Sequence, residues 1–278
     1  MIELFDHTTL ECSKLITNNY STSFSLGIKS LHKKFHYPIY AIYGFVRYAD
    51  EIVDTFHDYN KKALLHKFKV ETYQAIEDKI SFNPVLHAFQ LIVNQYNIDH
   101  DLIEAFLYSM EMDLDQKKYD QLDYEKYIYG SAEVVGLMCL RVFCEGDDTM
   151  YQQLKQPARH LGSAFQKVNF LRDIKDDYQI RGRIYFPQLE LGNITAEVKE
   201  KIFSDIQLDF DKAYQGIINL PAGSKLGVYL AYVYYLNLFK KIKKIALSRL
   251  LGERIRIPNF NKYLMLITSY CRYRFNFL

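Results

Sequence analysis

The stretches RYADEIVDTF, residues 47–56, and NFLRDIKDDYQ, residues 169–179, decide the fold of this chain. Each carries two aspartates spaced four residues apart, namely Asp50 with Asp54 and Asp173 with Asp177. On an α-helix this spacing puts both carboxylates on one face, one turn apart, where they repel each other. Two such pairs in one chain indicate that two helices face a strongly positive ligand.

Other polar side chains extend both aspartate rows along the same helical faces. Tyr43 and Arg47 precede the first pair, and Gln166 and Asn169 precede the second pair. Their sequence neighbours are mostly apolar, so both helices are predicted to be largely buried. A buried polar row is costly unless an ion or a ligand satisfies it. The alternative is two solvated helix faces with ordinary charge spacing.

Oxygen ligands without a His or Cys partner favour Mg²⁺, or else Mn²⁺. Mg²⁺ is usually held by one or two carboxylates, and waters and substrate phosphates complete its coordination. Two acidic helices that face each other therefore predict a diphosphate substrate that is bound through several Mg²⁺ ions.

The composition favours a helical protein with a large core. Of 278 residues, 49% are hydrophobic, and Gly and Pro number only 12 and 6. Scarce Gly and Pro favour long helices over strands and turns. The 24 Tyr and 19 Phe suit a core or the wall of a lipid-sized cavity. A net charge of +2 gives no indication of nucleic-acid binding, and the four cysteines lack the C-x-x-C spacing of a zinc knuckle.

The hydrophobic pattern predicts an all-α fold, a single domain over residues 1–278 built as a helical bundle around a central cavity. The predicted helices cover roughly 9–19, 38–57, 61–79, 84–96, 100–117, 123–144, 149–179, 195–217, 223–250 and 260–276. The Ser-Thr-Ser segment at 21–23 is predicted to break the first helix. The longest apolar run, near 226–239, is interrupted by Asn237 and is too short for a membrane span. Since the N-terminus also lacks an apolar signal region, a cytoplasmic protein is expected.

Four segments, in the same order along the chain, resemble the squalene and phytoene synthases, which are head-to-head prenyl synthases. YSTSFSLG at 20–27 resembles the family's H-S-x-S-F segment, and YAIYGFVRYADEIVD at 40–54 resembles its first aspartate-rich motif. YIYGSAEVVGLM at 127–138 resembles its Y-C-Y-x-x-A-G-x-V-G segment. FQKVNFLRDIKDDYQIRGRIYFP at 165–187 resembles its second aspartate-rich motif with the trailing R-I-Y-x-P. The resemblance covers most of the chain.

This resemblance implies the all-α isoprenoid-synthase fold and Mg²⁺-dependent coupling of two identical prenyl diphosphates, through a cyclopropyl diphosphate, to a C30 or C40 hydrocarbon. The preferred interpretation is a 15-cis-phytoene synthase of carotenoid biosynthesis, which joins two geranylgeranyl diphosphates through prephytoene diphosphate without NADPH. Ile28, just after the first segment, is expected to leave room for a C20 chain. The alternative is a C30 dehydrosqualene or squalene synthase that uses farnesyl diphosphate, with NADPH needed for squalene. More distant alternatives are a head-to-tail prenyl synthase, a terpene cyclase and a non-catalytic helical scaffold.

The resemblance also assigns roles to individual residues. Those expected to bind the metal are Asp50, Asp54, Asn169, Asp173 and Asp177. Those expected to act in catalysis are the same four aspartates with Tyr43, Tyr127, Tyr185 and Tyr235. Those expected to contact the substrate are Ser21, Ser23, Phe24, Arg47, Val135, Gly136, Gln166, Asn169, Arg172 and Arg254.

The chain departs from the family pattern at several positions. Tyr20 stands where the family usually has His, and Glu51 replaces the second Asp of the first motif. Glu133 stands at a Gly that permits close helix packing in the family. The loop between Asp177 and Arg183 is one residue longer than usual. These differences bear on the detailed geometry of the site.

The C-terminal region combines basic and aromatic residues in a pattern typical of weak peripheral contact with the inner face of an anionic membrane. The basic residues are Lys240, Lys241, Lys243, Lys244, Arg249, Arg254 and Arg256, and the chain ends in CRYRFNFL. A solvated basic face is the alternative.

Overall fold

The computed structural model describes residues 2–115, 118–179, 181–187, 195–245 and 255–275. In these residues the α-helices are, in chain order, α1 (Ile2–Tyr20), α2 (Thr22–Lys29), α3 (His36–Asp54), α4 (Lys61–Asp78), α5 (Pro84–Tyr96), α6 (His100–Asp115), α7 (Gln121–Ile128), α8 (Val134–Cys144), α9 (Asp148–Gln179), α10 (Ala196–Ile217), α11 (Ala222–Lys243) and α12 (Asn259–Arg274). A 3₁₀ turn (Lys33–Phe35) precedes α3, and a π-helical turn (Tyr129–Glu133) joins α7 to α8. Over the same ranges, β pairing is limited to one parallel bridge between Lys118 and Ile184. The predicted all-α fold is confirmed.

Side-chain caps explain where several helices begin. Ser21 has extended backbone angles and accepts a hydrogen bond from the Phe24 N–H at 3.2 Å, so it separates α1 from α2. Asn83 caps α5 in the same way, and Pro84 occupies the first turn, where a missing N–H is tolerated. The break predicted at 21–23 is therefore correct, but the short helix α2 that follows it was not predicted.

The helix predicted over 123–144 is interrupted by the π-helical turn. The Val134 N–H bonds to the Tyr129 carbonyl, five residues back, where an α-helix would use the residue four back. The turn therefore contains one residue more than a regular α turn. Because the wider turn absorbs this residue, α8 keeps nearly the facing that an uninterrupted α-helix would give it.

Two apolar clusters form the core. In the first, built mainly by α3 to α6 and α8, Phe45 stacks on Phe89 with ring centroids 3.9 Å apart and also contacts Phe106. In the second, built mainly by α9 to α11, Phe210 packs on Phe239. Burial of such large apolar side chains is the dominant favourable term in folding. A cavity of about 640 Å³ is lined by residues of both clusters.

Glycines bring the helices around this cavity close together. A Cβ on Gly227 of α11 would lie 2.6 Å from the carbonyl oxygen of Gly27 in α2. A Cβ on Gly162 of α9 would lie 2.7 Å from the carbonyl oxygen of Ala132 in the π-helical turn. Side chains do not tolerate such distances to backbone atoms, so any larger residue here would push α2 or the π-helical turn away.

One helical stretch, Gln121–Cys144, is long and apolar enough by length and composition to cross a membrane. More than half of its most apolar window is buried within the fold, because α8 packs against α3, α6 and α9. The expectation that no stretch reaches the length of a membrane span was wrong by length and composition alone. Burial of this kind is typical of a core helix.

Candidate active site

The C-terminal ends of α3 and α9 bring the two aspartate rows to one end of the cavity. Asp50 and Asp54 lie in the last turns of α3, and Asp173 and Asp177 lie in the last turns of α9. We call these four residues and their surroundings the polar end. The remainder of the wall is mostly apolar and includes Ile28, Leu31, Leu140, Phe143, Leu154 and Leu220. On α9, Leu154 and Asp173 are about 29 Å apart at a rise of 1.5 Å per residue, so the cavity is long as well as polar at one end.

The cavity wall contains every predicted site residue that the structure describes. These are Ser21, Ser23, Phe24, Tyr43, Arg47, Asp50, Asp54, Tyr127, Val135, Gly136, Gln166, Asn169, Arg172, Asp173, Asp177, Tyr185 and Tyr235. The remaining prediction, Arg254, lies outside the described residues. The two aspartate rows therefore face one cavity, while the role of each residue stays a prediction.

Arginines of the same helices contact the aspartates of the polar end. Arg47 donates to Asp50 at 3.3 Å and also to Glu51, the residue that replaces the family's Asp. Arg172 donates to Asp173 through two bonds of 2.9 and 2.5 Å. Bidentate arginine–carboxylate pairs of this kind are strong and fix both side chains.

Two arginines of the loop after α9 join the two rows. Arg181 donates to Asp177 at 3.0 Å and lies 3.4 Å from Asp54. Arg183 donates to Asp54 at 2.9 Å. Asp54 of α3 and Asp177 of α9 are thus held near each other by a shared arginine. The R-I-Y-x-P motif pointed to this loop, but neither arginine was predicted as a site residue.

A buried carboxylate, Asp113 of α6, lies behind the polar end and was not predicted. Three hydroxyls donate to it, from Tyr119 at 2.9 Å, Tyr127 at 2.6 Å and Tyr185 at 3.0 Å. Arg183 lies 3.5 Å from this carboxylate and donates to the Asp113 carbonyl at 3.0 Å. Tyr127 and Tyr185, predicted as catalytic residues, therefore line the cavity with their hydroxyls engaged by Asp113. The available signal was an acidic residue within the apolar pattern of α6.

Burial determines how this tyrosine cluster titrates. It raises the pKa of Asp113, although Arg183 and the tyrosine hydroxyls oppose the shift. Burial also raises the pKa of both Tyr127 and Tyr185 well above the usual value. The tyrosines consequently remain protonated donors at neutral pH. The cluster is suited to anchoring Arg183 and not to releasing a proton.

Two aspartates of the polar end hold protons unusually strongly. Burial, with repulsion from Asp54 next in importance, raises the pKa of Asp50 to about 7. Burial also raises the pKa of Asp177 to about 7, although Arg181 opposes the shift. The accessible 38% of the Asp50 side chain lies on the cavity wall. Burial thus disfavours the charged form of both carboxylates, and an added cation beside them would stabilise that form.

A chain of hydrogen bonds runs along the wall from α11 to the π-helical turn. The Tyr235 hydroxyl donates to Asn169 Oδ1 at 3.2 Å, and Asn169 Nδ2 donates to Gln166 Oε1 at 3.3 Å. Gln166 Nε2 donates to Ser131 Oγ at 3.1 Å, and Ser131 donates to the Tyr127 carbonyl at 2.7 Å. Each amide therefore has one defined orientation. Ser131 was not predicted as a site residue.

The donors of the polar end suit Mg²⁺ that is shared with a phosphate ligand. Among the described residues, no three His, Cys, Asp or Glu side chains are gathered as they would be around a metal held by protein alone. Mg²⁺ does not require such a cluster, because waters and phosphates complete its octahedral shell. The carbonyl ends of α3 and α9 add partial negative charge here. Cations are therefore favoured, and a diphosphate would bind only together with them.

Aromatic rings surround the cavity next to the polar end. Phe165 stacks on Tyr235 with ring centroids 4.0 Å apart. Phe24 of α2 lies 5.6 Å from the ring of Tyr43 and 6.3 Å from that of Tyr235. The faces of such rings attract positive charge, and their packing excludes water.

The family model for squalene/phytoene synthases matches residues 17–261 of this chain. The chain belongs to the squalene/phytoene synthase family. The family and the class of prenyl-transferring enzyme that were predicted from the sequence are confirmed at this level.

Individual relatives carry names from both branches of this family. The chain is 28% identical over 248 residues to phytoene synthase 1 of Solanum lycopersicum, and this alignment covers 81% of this chain and 58% of that protein. It is 28% identical over 274 residues to 4,4'-diapophytoene synthase of Staphylococcus haemolyticus, and this alignment covers 89% of this chain and 91% of that protein. The fold is that of a crystallised dehydrosqualene synthase, with a TM-score of 0.80, 21% identity and coverage of 97% and 98% of the two chains.

Two residues at which the chain departs from the squalene/phytoene synthase pattern are each held by an arginine. Tyr20 stands where the family usually has His. The guanidinium carbon of Arg47 lies 4.3 Å from the centroid of its ring. Glu133, where the family has Gly, accepts a hydrogen bond from Arg159 at 2.6 Å. The close helix approach at this point comes from Gly162 of α9, which lies directly against the backbone of the π-helical turn.

Proposed function

We propose that this chain joins two prenyl diphosphates head to head in a Mg²⁺-dependent reaction. The observation that carries the proposal is the polar end, where Arg181 contacts both Asp54 and Asp177 beside a long apolar cavity. Paired carboxylates and arginines suit a diphosphate with its cations, and the apolar wall suits a prenyl chain. Membership of the squalene/phytoene synthase family supports the same reaction.

Charges that are already in place would hold the diphosphates. Arg47 and Arg172 line the cavity and can give phosphate oxygens paired hydrogen bonds. The residues that would hold Mg²⁺ are Asp50, Asp54, Asn169, Asp173 and Asp177. Mg²⁺ bound there supplies the positive charge that stabilises the departing diphosphate. Asn169 would present its carbonyl oxygen in the orientation that Tyr235 and Gln166 fix.

The cavity wall would protect an allylic cation from water after the diphosphate has left. Phe24, Phe165 and Tyr235 surround the start of the apolar part and provide ring faces towards positive charge. Burial raises the pKa of Tyr43 to about 12, so its hydroxyl stays neutral and is a poor nucleophile towards the cation. Exclusion of water prevents quenching of the cation to an alcohol.

The length of the prenyl chain is the finer part of the proposal. We take geranylgeranyl diphosphate as the substrate and 15-cis-phytoene as the product, so that no NADPH is needed. The C30 alternative, dehydrosqualene or squalene from farnesyl diphosphate, is supported by the Staphylococcus haemolyticus relative, which is named 4,4'-diapophytoene synthase and aligns over 91% of its length.

Incubation with each radiolabelled prenyl diphosphate, with and without NADPH, tests this proposal. A C40 hydrocarbon that requires Mg²⁺ and not NADPH is the expected product. A C30 hydrocarbon would change the substrate and keep the reaction. Chain elongation with isopentenyl diphosphate, or release of a prenyl alcohol alone, would contradict head-to-head coupling.

Single amide substitutions test the two aspartate rows separately. Asp50→Asn or Asp173→Asn removes a negative ligand at almost constant volume, so turnover should fall by about two orders of magnitude or more. Asp115→Asn, at a 68% exposed side chain that pairs with Lys62, is the matched control and should retain activity. Circular dichroism should show unchanged helicity in all three. Activity near wild type in either row variant would remove that row from the metal site.

A further inference from the structure

Large apolar side chains dominate the outward face of α12. The exposed ones are Phe260, Tyr263, Leu264, Ile267 and Tyr270, each of which has another of the five three or four residues away, and they lie beside exposed Asn261 and Thr268. Phe260 is 77% exposed and Ile267 is 60% exposed. Surface helices normally direct polar side chains outward. Isolated exposed apolar residues are ordinary, but a continuous row of them marks a contact site.

The inward face of the same helix is held on α11 by polar and apolar contacts. Ser269 is buried, and Met265 packs against the second apolar cluster. The Nζ atom of Lys262 lies 5.6 Å from the ring centroid of Tyr234, a residue that lines the cavity. Arg272 donates to the hydroxyl of an α11 tyrosine at 3.3 Å. These contacts fix the rotation of α12, so its apolar row cannot turn towards the core.

The surroundings of this apolar row are strongly basic. Residues 240–278 contain ten Lys and Arg and a single acid, Glu253, whereas the whole chain has a net charge of only +2. The exposed basic side chains in the described part are Lys240, Lys241, Lys243, Lys244, Arg256, Arg272 and Arg274. A second copy of this chain would bring like charges together on this face. An anionic lipid surface would meet complementary charge.

We propose that α12 docks this protein on an anionic bilayer, with its apolar row inserted at the level of the lipid headgroups. Phe260, Leu264 and Ile267 would contact the acyl chains. Tyr263 and Tyr270 suit the boundary, where a ring can be buried while its hydroxyl stays in water. The flanking lysines and arginines would contact lipid phosphates. Since Lys262 covers Tyr234, the docked helix lies directly behind the cavity wall, whichever prenyl chain the cavity accepts.

A single introduced tryptophan can report on α12 alone, because the chain contains no Trp. The fluorescence of Phe260→Trp should shift to the blue with vesicles of phosphatidylcholine and phosphatidylglycerol, and not with phosphatidylcholine alone. Phe82→Trp, at a 98% exposed position between α4 and α5, is the matched control and should not shift. The absence of a shift in Phe260→Trp, or an equal shift in both variants, would overturn the proposal.

Vesicle co-sedimentation tests whether the apolar row carries the binding. Ile267→Glu should lower the affinity for anionic vesicles by about tenfold or more, and wild-type binding should weaken with added salt. Phe82→Glu should bind as the wild type does. Since Ile267 is exposed, its substitution should leave helicity and Tm unchanged. Wild-type-like binding of Ile267→Glu would contradict docking through α12.

Sedimentation velocity separates lipid docking from self-association. In the absence of vesicles, the wild type and Ile267→Glu should have the same oligomeric state. A wild-type dimer that Ile267→Glu converts to a monomer would assign the face to a second copy of the chain and overturn the membrane contact.

Discussion

The hydroxyl of Ser131 accepts a hydrogen bond from Gln166 and donates its own proton to the Tyr127 carbonyl. Gln166 in turn accepts from Asn169, which we expect to bind the metal. Ser131 therefore acts on the polar end through two amides, without belonging to it. It is a positioning residue in the sense that its contacts decide how the amide of Asn169 is presented.

Ser131→Ala should reduce kcat/KM by about two- to tenfold, because Gln166 loses an acceptor worth roughly 0.5–1.5 kcal/mol. Ser131→Thr keeps the hydroxyl and is the matched control. The expected loss is mainly in kcat, accompanied by a weaker response to Mg²⁺. Kinetics of Ser131→Ala equal to those of the wild type would show that the hydroxyl does not position Gln166.

The metal-free protein should become less stable as the pH rises from about 4 to about 7. Burial raises the pKa of Asp50 from 3.8 to about 7, so in this window the folded state holds a proton that the unfolded chain has released. The free energy of unfolding therefore falls with rising pH, and Asp177 contributes in the same direction. Because 38% of the Asp50 side chain is accessible, screening keeps the effect small, of the order of a degree or two in Tm.

Thermal melts at several pH values with a chelator present measure this dependence. Asp50→Asn should melt higher than the wild type near pH 7 and show a flatter profile, whereas Asp115→Asn should follow the wild type. A wild-type Tm that rises across the same window would contradict the sign.

The aspartate rows could be predicted because all their residues lie on one face of their own helix. Arg183 and Asp113 could not, since their contacts join a loop to α3 and α6, and no spacing within one segment reveals such contacts. Tyr127 and Tyr185 were placed on the cavity correctly, but their common partner Asp113 was not predicted. Periodicity reports on a single element, whereas this cluster exists only after α3, α6, α7 and the loop after α9 have packed.

At the scale of elements, most of the long helices could be predicted closely from hydrophobic spacing, caps and proline positions, but α1, predicted from residue 9, begins at Ile2. α4 was predicted at 61–79 and extends over Lys61–Asp78. The short helix α2 was missed, because eight residues give too few turns for a clear periodicity. The π-helical turn was missed because it differs from an α turn only in its hydrogen-bond register.

Ile28 of α2 is 4% exposed and lies on the apolar wall, where a larger side chain would shorten the cavity. Ile28→Phe should shift the ratio of kcat/KM towards farnesyl over geranylgeranyl diphosphate, because overpacking costs roughly 1–3 kcal/mol for the longer chain. α2 cannot easily move away, since Gly27 is packed against α11. Ile28→Val, which enlarges the cavity, is the control and should not favour the shorter substrate. An unchanged ratio in Ile28→Phe would place Ile28 outside the chain-length determinant.

At the scale of the whole molecule, the polar end connects helices from both apolar clusters. α3 belongs to the first cluster and α9 contributes mainly to the second, and Arg181 contacts an aspartate of each helix. A ligand bound between these helices therefore ties the two clusters together. Its effect should extend beyond the site to the stability of the whole fold.

Mg²⁺ together with inorganic diphosphate should raise Tm by roughly 5–10 °C, since a ligand at a hundred times its Kd stabilises the folded state by about 2.7 kcal/mol. Either component alone should have a smaller effect, because the diphosphate needs cations at this acidic end. Asp50→Asn and Asp173→Asn should reduce the shift, and Asp115→Asn should retain it. If the Tm with diphosphate were the same in the presence of Mg²⁺ as in the presence of a chelator, a metal-dependent diphosphate site would be ruled out.

The π-helical turn at Tyr129–Glu133 has a consequence for how this protein can evolve. A π turn holds one residue more than the α turn that could replace it. The wider turn absorbs that residue, so loss of one codon here would restore an α turn and leave α8 facing nearly the same way. Val135 and Gly136 would therefore keep their places on the cavity wall. A deletion within the regular α turns of α8 would instead rotate every later residue by about 100°, so this turn is the place in the wall where a lost codon does least harm.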